Sequence, residues 1–177
     1  MEYVVVYLLR GEIAEFHQRK IKELARKFDE YYLMEKKRPS HITLKYNFTT
    51  NNITEVEKML KIFSEIHNST KIRINGLIEF RKRVIGFKVD FSKEARNVYK
   101  DLRNELKKLS LGKWSEFDNI GKKFHFTLVY ASSLKKFRVI YEYLNKDKFD
   151  CNLKLDNITI LRKSKKYWKV HKVYELK

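Results

Sequence analysis

Lys123-Phe124-His125-Phe126-Thr127-Leu128-Val129-Tyr130 decides the reading of this chain, because its His-x-Thr-Leu core has already occurred at His41-Ile42-Thr43-Leu44-Lys45-Tyr46. Both copies alternate as strands. In the first, His41, Thr43, Lys45 and Asn47 point one way and Ile42, Leu44, Tyr46 and Phe48 the other. In the second, Lys123, His125 and Thr127 oppose Phe124, Phe126, Leu128 and Tyr130. Each copy is thus a hydrophobic strand face carrying an imidazole and a hydroxyl on its polar side. Imidazole exchanges a proton near neutral pH, and the hydroxyl two residues on hydrogen-bonds an anionic oxygen. Two such pairs facing one phosphate make an acid–base site. The catalytic residues expected are His41, Thr43, His125 and Thr127, with Lys45 and Lys123, on the same faces, as candidate phosphate-binding cations. A lone His-x-Thr is more often an ordinary half-buried strand. Repetition in matching surroundings tells against that here.

Those surroundings repeat as well. Tyr3 to Leu9 is a Val- and Tyr-rich strand, and Glu12 to Phe28 carries Ile13, Phe16, Ile21, Leu24, Ala25 and Phe28 at nearly helical spacing. Pro39 fixes the backbone just before His41 and disfavours helix at Arg38. Ile53 to Ile66 is a second helix, with Val56, Met59, Leu60 and Phe63 on one face, and Lys71 to Phe80 is a strand. The order strand, helix, motif strand, helix, strand then recurs. Val84 to Phe91 is a strand, Ser92 caps a helix with Ala95 at its third position, and a loop runs from Ser110 to Gly121. After the second motif come a helix from about Ser133 to Leu144 and a strand from Cys151 to Leu161. His125 follows His41 by 84 positions and Ile85 follows Val4 by 81, so the duplication is of structure and not only of motif. A final strand, Tyr167 to Leu176, is joined through the basic tip Arg162-Lys163-Ser164-Lys165-Lys166. The expectation is one α+β domain over 1–177, with repeat one about 3–80, repeat two about 84–162 and a C-terminal strand about 167–176.

A chain of 177 residues is long enough to bury a core of its own. Its net charge of +18, from 40 Lys and Arg against 22 Asp and Glu, favours a polyanionic partner. Cys151 stands alone, which excludes an intramolecular disulfide and a multi-cysteine zinc site and fits a reducing compartment. The apolar run Val4 to Leu9 is too short to span a bilayer, and Glu2 stands where a signal peptide wants positive charge. A cytoplasmic protein without membrane contact is expected, as a monomer.

The paired His-x-Thr-Leu motifs within two strand–helix–strand repeats resemble the 2H phosphoesterase superfamily, in particular its RNA 2′,3′-cyclic phosphodiesterase branch, also called 2′-5′ RNA ligases. Arg38-Pro39-Ser40-His41-Ile42-Thr43-Leu44-Lys45 and Phe124-His125-Phe126-Thr127-Leu128 carry the resemblance, and Asn75-Gly76-Leu77 to Phe80 resembles the middle segment of the family. The resemblance implies a pseudo-twofold α+β fold, two antiparallel sheets forming a central cleft, and motifs on facing central strands. It implies that one of His41 and His125 is general base toward water while the other protonates the departing ribose oxygen. Thr43 and Thr127 hold the non-bridging phosphate oxygens, and no metal or cofactor takes part. The partner is then RNA or a nucleotide cyclic phosphate. Many members carry Arg three residues after the second Thr; here that position is Tyr130, which strand alternation turns toward the core.

Within the same chemistry the substrate is alternatively a 2′-5′-linked oligonucleotide or a small nucleotide cyclic phosphate. A non-catalytic RNA-binding module on this fold is the other class of reading, and a pure binder has no need of two imidazoles. His17, His67 and His171 lack a His-x-Thr context and are not expected in the chemistry. The basic segments Lys36 to Arg38, Arg81 to Arg83, Lys122-Lys123 and Arg162 to Lys166 are candidates for a nucleic-acid path, those abutting the motifs before the others. Trp168 is expected in the core.

Overall fold

The computed structural model of the chain describes residues 1–109, 111, 114, 118, 119, 121–146, 148–165 and 167–177. Eight strands and five helices follow in the order β1 (Glu2–Leu8), α1 (Gly11–Phe28), α2 (Tyr32–Lys36), β2 (His41–Thr49), α3 (Ile53–Ile66), β3 (Thr70–Phe80), β4 (Val84–Phe91), α4 (Lys93–Lys108), β5 (Phe124–Tyr130), α5 (Leu134–Asn145), β6 (Asp150–Leu155), β7 (Asn157–Ser164) and β8 (Tyr167–Glu175) among the described residues. Most of the expected loop from Ser110 to Gly121, and Lys166 of the basic tip, lie outside the described residues. No helix among the described residues is long and apolar enough to cross a membrane.

The helices form where apolar spacing and caps require them. Ser92 accepts a hydrogen bond from the Ala95 amide at 3.1 Å and opens α4, and Ser133 does the same for the Lys136 amide at 3.2 Å at the start of α5. The short α2 is an addition to the expected elements. It fills the link before Pro39 and ends at Lys37 in the left-handed region, φ 45°.

Two antiparallel four-stranded sheets result, in the orders β2-β1-β7-β8 and β5-β4-β3-β6. Each draws strands from both halves of the chain. The expected strand from Cys151 to Leu161 is therefore two strands, β6 in one sheet and β7 in the other, divided at Asp156. Asn157 makes the crossing possible. Fully buried, it receives the Leu8 amide on Oδ1 at 3.1 Å and gives Nδ2 to the Leu8 carbonyl at 3.0 Å, so a side-chain amide does what a neighbouring strand's backbone would do. β1 lies inside its sheet and is covered on both sides: Tyr3, Val5 and Tyr7 join the main core, while Val4 and Val6 pack with Leu161 and Trp168 in a smaller cluster.

The motif strands β2 and β5 end the strand order of their sheets and lie beside each other, so the expectation of central strands is corrected to edge strands. Both are bulged. Val5 pairs with Lys45 and Val6 with Thr43, leaving Leu44 as an extra residue; Ile85 pairs with Val129 and Gly86 with Thr127, leaving Leu128. An edge strand tolerates such an insertion because it has a ladder on one side only, and each bulge reverses which residues face inward beyond it. On β2 a second shift, between Tyr3 and Val5, returns Phe48 to the core.

Candidate active site

The two edge strands and α1 enclose a cleft of about 130 Å³ whose lining includes His41, Thr43, His125 and Thr127. Both motifs thus meet at one pocket, and they do so in the same way. His41 donates Nδ1–H to the carbonyl of Pro39 at 2.7 Å, and His125 donates Nδ1–H to the carbonyl of Lys123 at 3.3 Å. A carbonyl only accepts, so each bond selects the tautomer in which Nε2 of the neutral ring is the basic nitrogen. Burial lowers the pKa of His41 to about 4, with Arg38, His17 and His125 adding to the effect and the Pro39 carbonyl opposing it. Burial lowers that of His125 too, helped by the Lys122 ammonium and opposed by the Lys123 carbonyl. Both motif rings are thus shifted toward the neutral form.

The bulges decide what else enters. Beyond Leu44 the alternation flips, so Lys45 turns into the protein and Tyr46 lines the cleft. Lys45 does not face the cleft as expected. It is 1% exposed and gives Nζ to Asp118 Oδ2 at 3.1 Å. Beyond Leu128 the same reversal brings Tyr130 into the cleft instead of the core. Tyr46 and Tyr130 each stand five residues after their histidine, one from each motif. Lys123 also lies elsewhere: its side chain lines a neighbouring groove with Lys88 and Asp90, and only its carbonyl serves His125.

Charged side chains satisfy the backbone that the first bulge leaves unpaired. The Tyr46 amide donates to Asp118 Oδ1 at 2.7 Å, and Lys122 Nζ donates to the Leu44 carbonyl at 3.2 Å. Lys122 is itself lowered to about pKa 8 by burial and by Lys45, against the pull of Asp118. Asp118 is fully buried, and its carbonyl receives Arg103 Nε at 2.7 Å.

Two residues of the pocket hold positions that the sequence reading did not specify, His17, which it left out of the chemistry, and Arg38, which it placed only within a basic segment abutting the first motif. His17, on the buried stripe of α1, donates Nε2–H to the Thr127 carbonyl at 2.8 Å and so accepts at Nδ1 from Ser40 Oγ at 2.9 Å. It thereby ties the residue before His41 to the second motif. Burial holds its pKa at about 4, with the Thr127 carbonyl opposing. A polar residue in phase with the apolar stripe of α1 is the signal that could have found it. Arg38 lines the cleft beside the first motif, its guanidinium carbon 4.8 Å from the centre of the buried Trp168 ring. Among the described residues no three His, Cys, Asp or Glu side chains gather as metal ligands, and the pocket's imidazoles, hydroxyls and guanidinium form a set suited to an anion.

Residues 12–166 match the sequence model of the 2′-5′ RNA ligase superfamily. Comparison with curated proteins gives no match. Among solved structures the fold is similar to that of Escherichia coli LigT complexed with 3′-AMP, at a TM-score of 0.64 and 12% identity over 99% of this chain and 97% of that one. It is also similar to the protein TT0787 of Thermus thermophilus, at 0.63 and 13% over 99% and 98%, and to a protein described as a phosphoesterase, at 0.61 and 12% over 99% and 97%. With most of its length matched by one family model, the chain belongs to the 2′-5′ RNA ligase superfamily, the 2H phosphoesterases.

Proposed function

We propose that the chain hydrolyses 2′,3′-cyclic phosphate at RNA ends to a phosphomonoester, by acid–base catalysis between His41 and His125. The observation that carries this reading is the matched pair of tautomer-locking bonds, His41 to the Pro39 carbonyl and His125 to the Lys123 carbonyl, on two histidines lining one pocket. A cyclic phosphodiester needs a base on one side of phosphorus, an acid on the other, and donors for the charge that develops between them.

Each ring has a cation near it that disfavours its protonated form, Arg38 at His41 and Lys122 at His125, and we take His41, which burial lowers to about 4, as the group that takes the proton from water. The new oxygen–phosphorus bond forms as the bond to one ribose oxygen breaks, and His125, protonated, gives its proton to that oxygen. Thr43 and Thr127 donate their hydroxyls to the non-bridging oxygens. Binding of an anionic phosphate raises the pKa of both imidazoles, which brings a protonated His125 within reach of neutral pH. The polyanionic partner fits the net charge of +18. A fold neighbour is described in complex with 3′-AMP, a nucleoside monophosphate of the kind this reaction releases. The direct test is incubation of the protein with an oligonucleotide ending in 2′,3′-cyclic phosphate, in the presence of EDTA. Conversion to a monoester end is expected, and no conversion in either buffer or chelator would end this reading.

A further inference from the structure

We propose that Arg38 is the phosphate-binding cation of this pocket. The inference rests on the reading of the site as one that takes a phosphodiester, and it names the residue that meets the charge.

An anion held in a partly buried pocket needs a cation, and the two lysines expected from the strand pattern are not available. Lys45 is spent on Asp118, and Lys123 lies in another groove. The hydroxyls of Thr43, Thr127, Tyr46 and Tyr130 are uncharged donors. Among the described residues two cationic side chains line the cleft, Lys36 and Arg38. Lys36 belongs to α2 and holds its ammonium 5.1 Å from the centre of the Tyr32 ring, which is about half exposed. Arg38 differs in kind. Its Nε is buried and finds no hydrogen-bond acceptor, and it forms no ion pair with a carboxylate among the described residues. A guanidinium whose face is taken by an indole still has its in-plane N–H donors, and these suit the oxygens of phosphate in bidentate fashion.

Position supports the same conclusion. Arg38 is two residues before Ser40 and three before His41, in a segment held at each step. The Arg38 carbonyl accepts from Gln18 Nε2 at 3.5 Å, the Pro39 carbonyl takes the His41 ring, and Ser40 is held by His17. The backbone that carries Arg38 is therefore fixed relative to His41. The charge of Arg38 also reaches across the cleft. Burial raises the phenols of Tyr46 and Tyr130, and the Arg38 cation works against that rise in both.

The test compares wild type, Arg38→Met, Arg38→Lys and Arg38→Met with Tyr130→Arg. Calorimetric binding of adenosine 3′-monophosphate and hydrolysis of a cyclic-phosphate end are measured across salt, and thermal unfolding monitors the fold. Methionine keeps an apolar chain against Trp168 without the charge. We expect Arg38→Met to lose about ten- to hundredfold in affinity, with a salt dependence shallower by about one phosphate contact. Arg38→Lys, which preserves the charge if methionine disturbs folding, should bind between the two. Returning a guanidinium at residue 130 should recover part of the loss, because Tyr130 faces the same space. Binding by folded Arg38→Met within about twofold of wild type overturns the proposal. So does an equal loss in Arg38→Lys and Arg38→Met with no recovery at 130, which makes Arg38 a packing residue. If wild type neither binds the monophosphate nor cleaves the cyclic end, the phosphodiester reading itself is wrong and Arg38 loses this role with it.

Discussion

Leu44 and Leu128 occupy the same place in the two motifs, and each is the extra residue of a β-bulge. The His-x-Thr half of each motif keeps strand alternation, and the residues after it do not. That is why a tyrosine from each strand, Tyr46 and Tyr130, joins the paired histidines and threonines in the cleft. The two bulges are secured differently, and each has its own point of failure.

The second bulge depends on Gly86. A Cβ at this position would stand 2.7 Å from the Phe126 carbonyl oxygen and 3.4 Å from Cδ2 of His125, so β4 approaches β5 more closely than any other residue permits. Gly86→Ala should push the motif strand outward, with a stability cost of about 1–3 kcal/mol, as for overpacking elsewhere. Turnover should fall at least about tenfold, since small misplacements of catalytic groups are costly. Turnover equal to wild type would show that His125 tolerates the shift.

At the first bulge the securing group is Asp118. It and Lys45 are each 1% exposed at the side chain and pair at 3.1 Å. Asp118→Asn retains an oxygen for the Tyr46 amide but strands the Lys45 ammonium in the interior. The expected loss is about 3–5 kcal/mol, the range for breaking one side of a buried pair. Adding Lys45→Met should recover part of it, because the double variant removes one of the two cations, Lys45 and Lys122, that Asp118 balances. Urea unfolding of wild type and the two variants decides this. Asp118→Asn within about 1 kcal/mol of wild type, the scale of a surface pair, would mean that the pair is not the clamp described.

What the chain declares in its sequence, and what it conceals, follows from the range of the forces involved. The four longer helices and Ser92 were legible because spacing and caps act within a few residues, and the five-residue α2 was not. The meeting of His41, Thr43, His125 and Thr127 at one cleft was legible because they precede the bulges. Lys45 and Tyr130 were misplaced because a single inserted residue inverts everything after it. Gly86, alone within the alternating run Val84 to Phe91, was the available warning of a close strand approach. Asp156-Asn157 was another: two turn-forming residues within an apparent strand mark the place where the chain changes sheets. His17 and Arg38 act through partners distant in sequence or through an unfilled hydrogen bond, and spacing alone reveals neither.

His17 makes stability depend on pH in a specific direction. Its folded pKa is lowered to about 4 from an ordinary value of 6.5 by burial, so below about 6.5 the unfolded chain takes up a proton that the folded chain refuses. Stability is complete above that pH, falls as pH drops through the window, and levels off below about 4. The total for His17 is roughly 3 kcal/mol, and His41 adds in the same direction. His17→Gln keeps a donor for the Thr127 carbonyl and removes the titration. Its unfolding free energy should therefore vary less steeply than that of wild type between about pH 4 and pH 7, a difference that urea titrations at several pH values measure. An unchanged slope would show that His17 does not titrate in this window.

The proposed division of labour between the histidines makes the most demanding prediction. His41→Ala and His125→Ala should each lower turnover at least about a hundredfold, the lower end for losing a general base or acid. The double variant should cost much less than the product, because the two act as a unit. Thr43→Ala and Thr127→Ala should be milder, since proton transfer remains. In kcat/KM the acid limb follows protonation of His41, held at about 4, and the alkaline limb follows loss of the proton from His125, also below its ordinary value. The optimum should accordingly fall on the acid side of neutrality, with both limbs belonging to the coupled pair. The leaving group separates the roles. A 4-nitrophenyl ester of a 2′-deoxynucleoside 3′-phosphate has no 2′-hydroxyl to attack phosphorus, so water stays the nucleophile, and its leaving group is a stable phenolate that needs no proton; the deficit of His125→Ala should shrink to about tenfold or less while that of His41→Ala persists. Shrinkage in the His41 variant instead would exchange the two roles, and equal deficits on both substrates would remove general-acid catalysis from the mechanism.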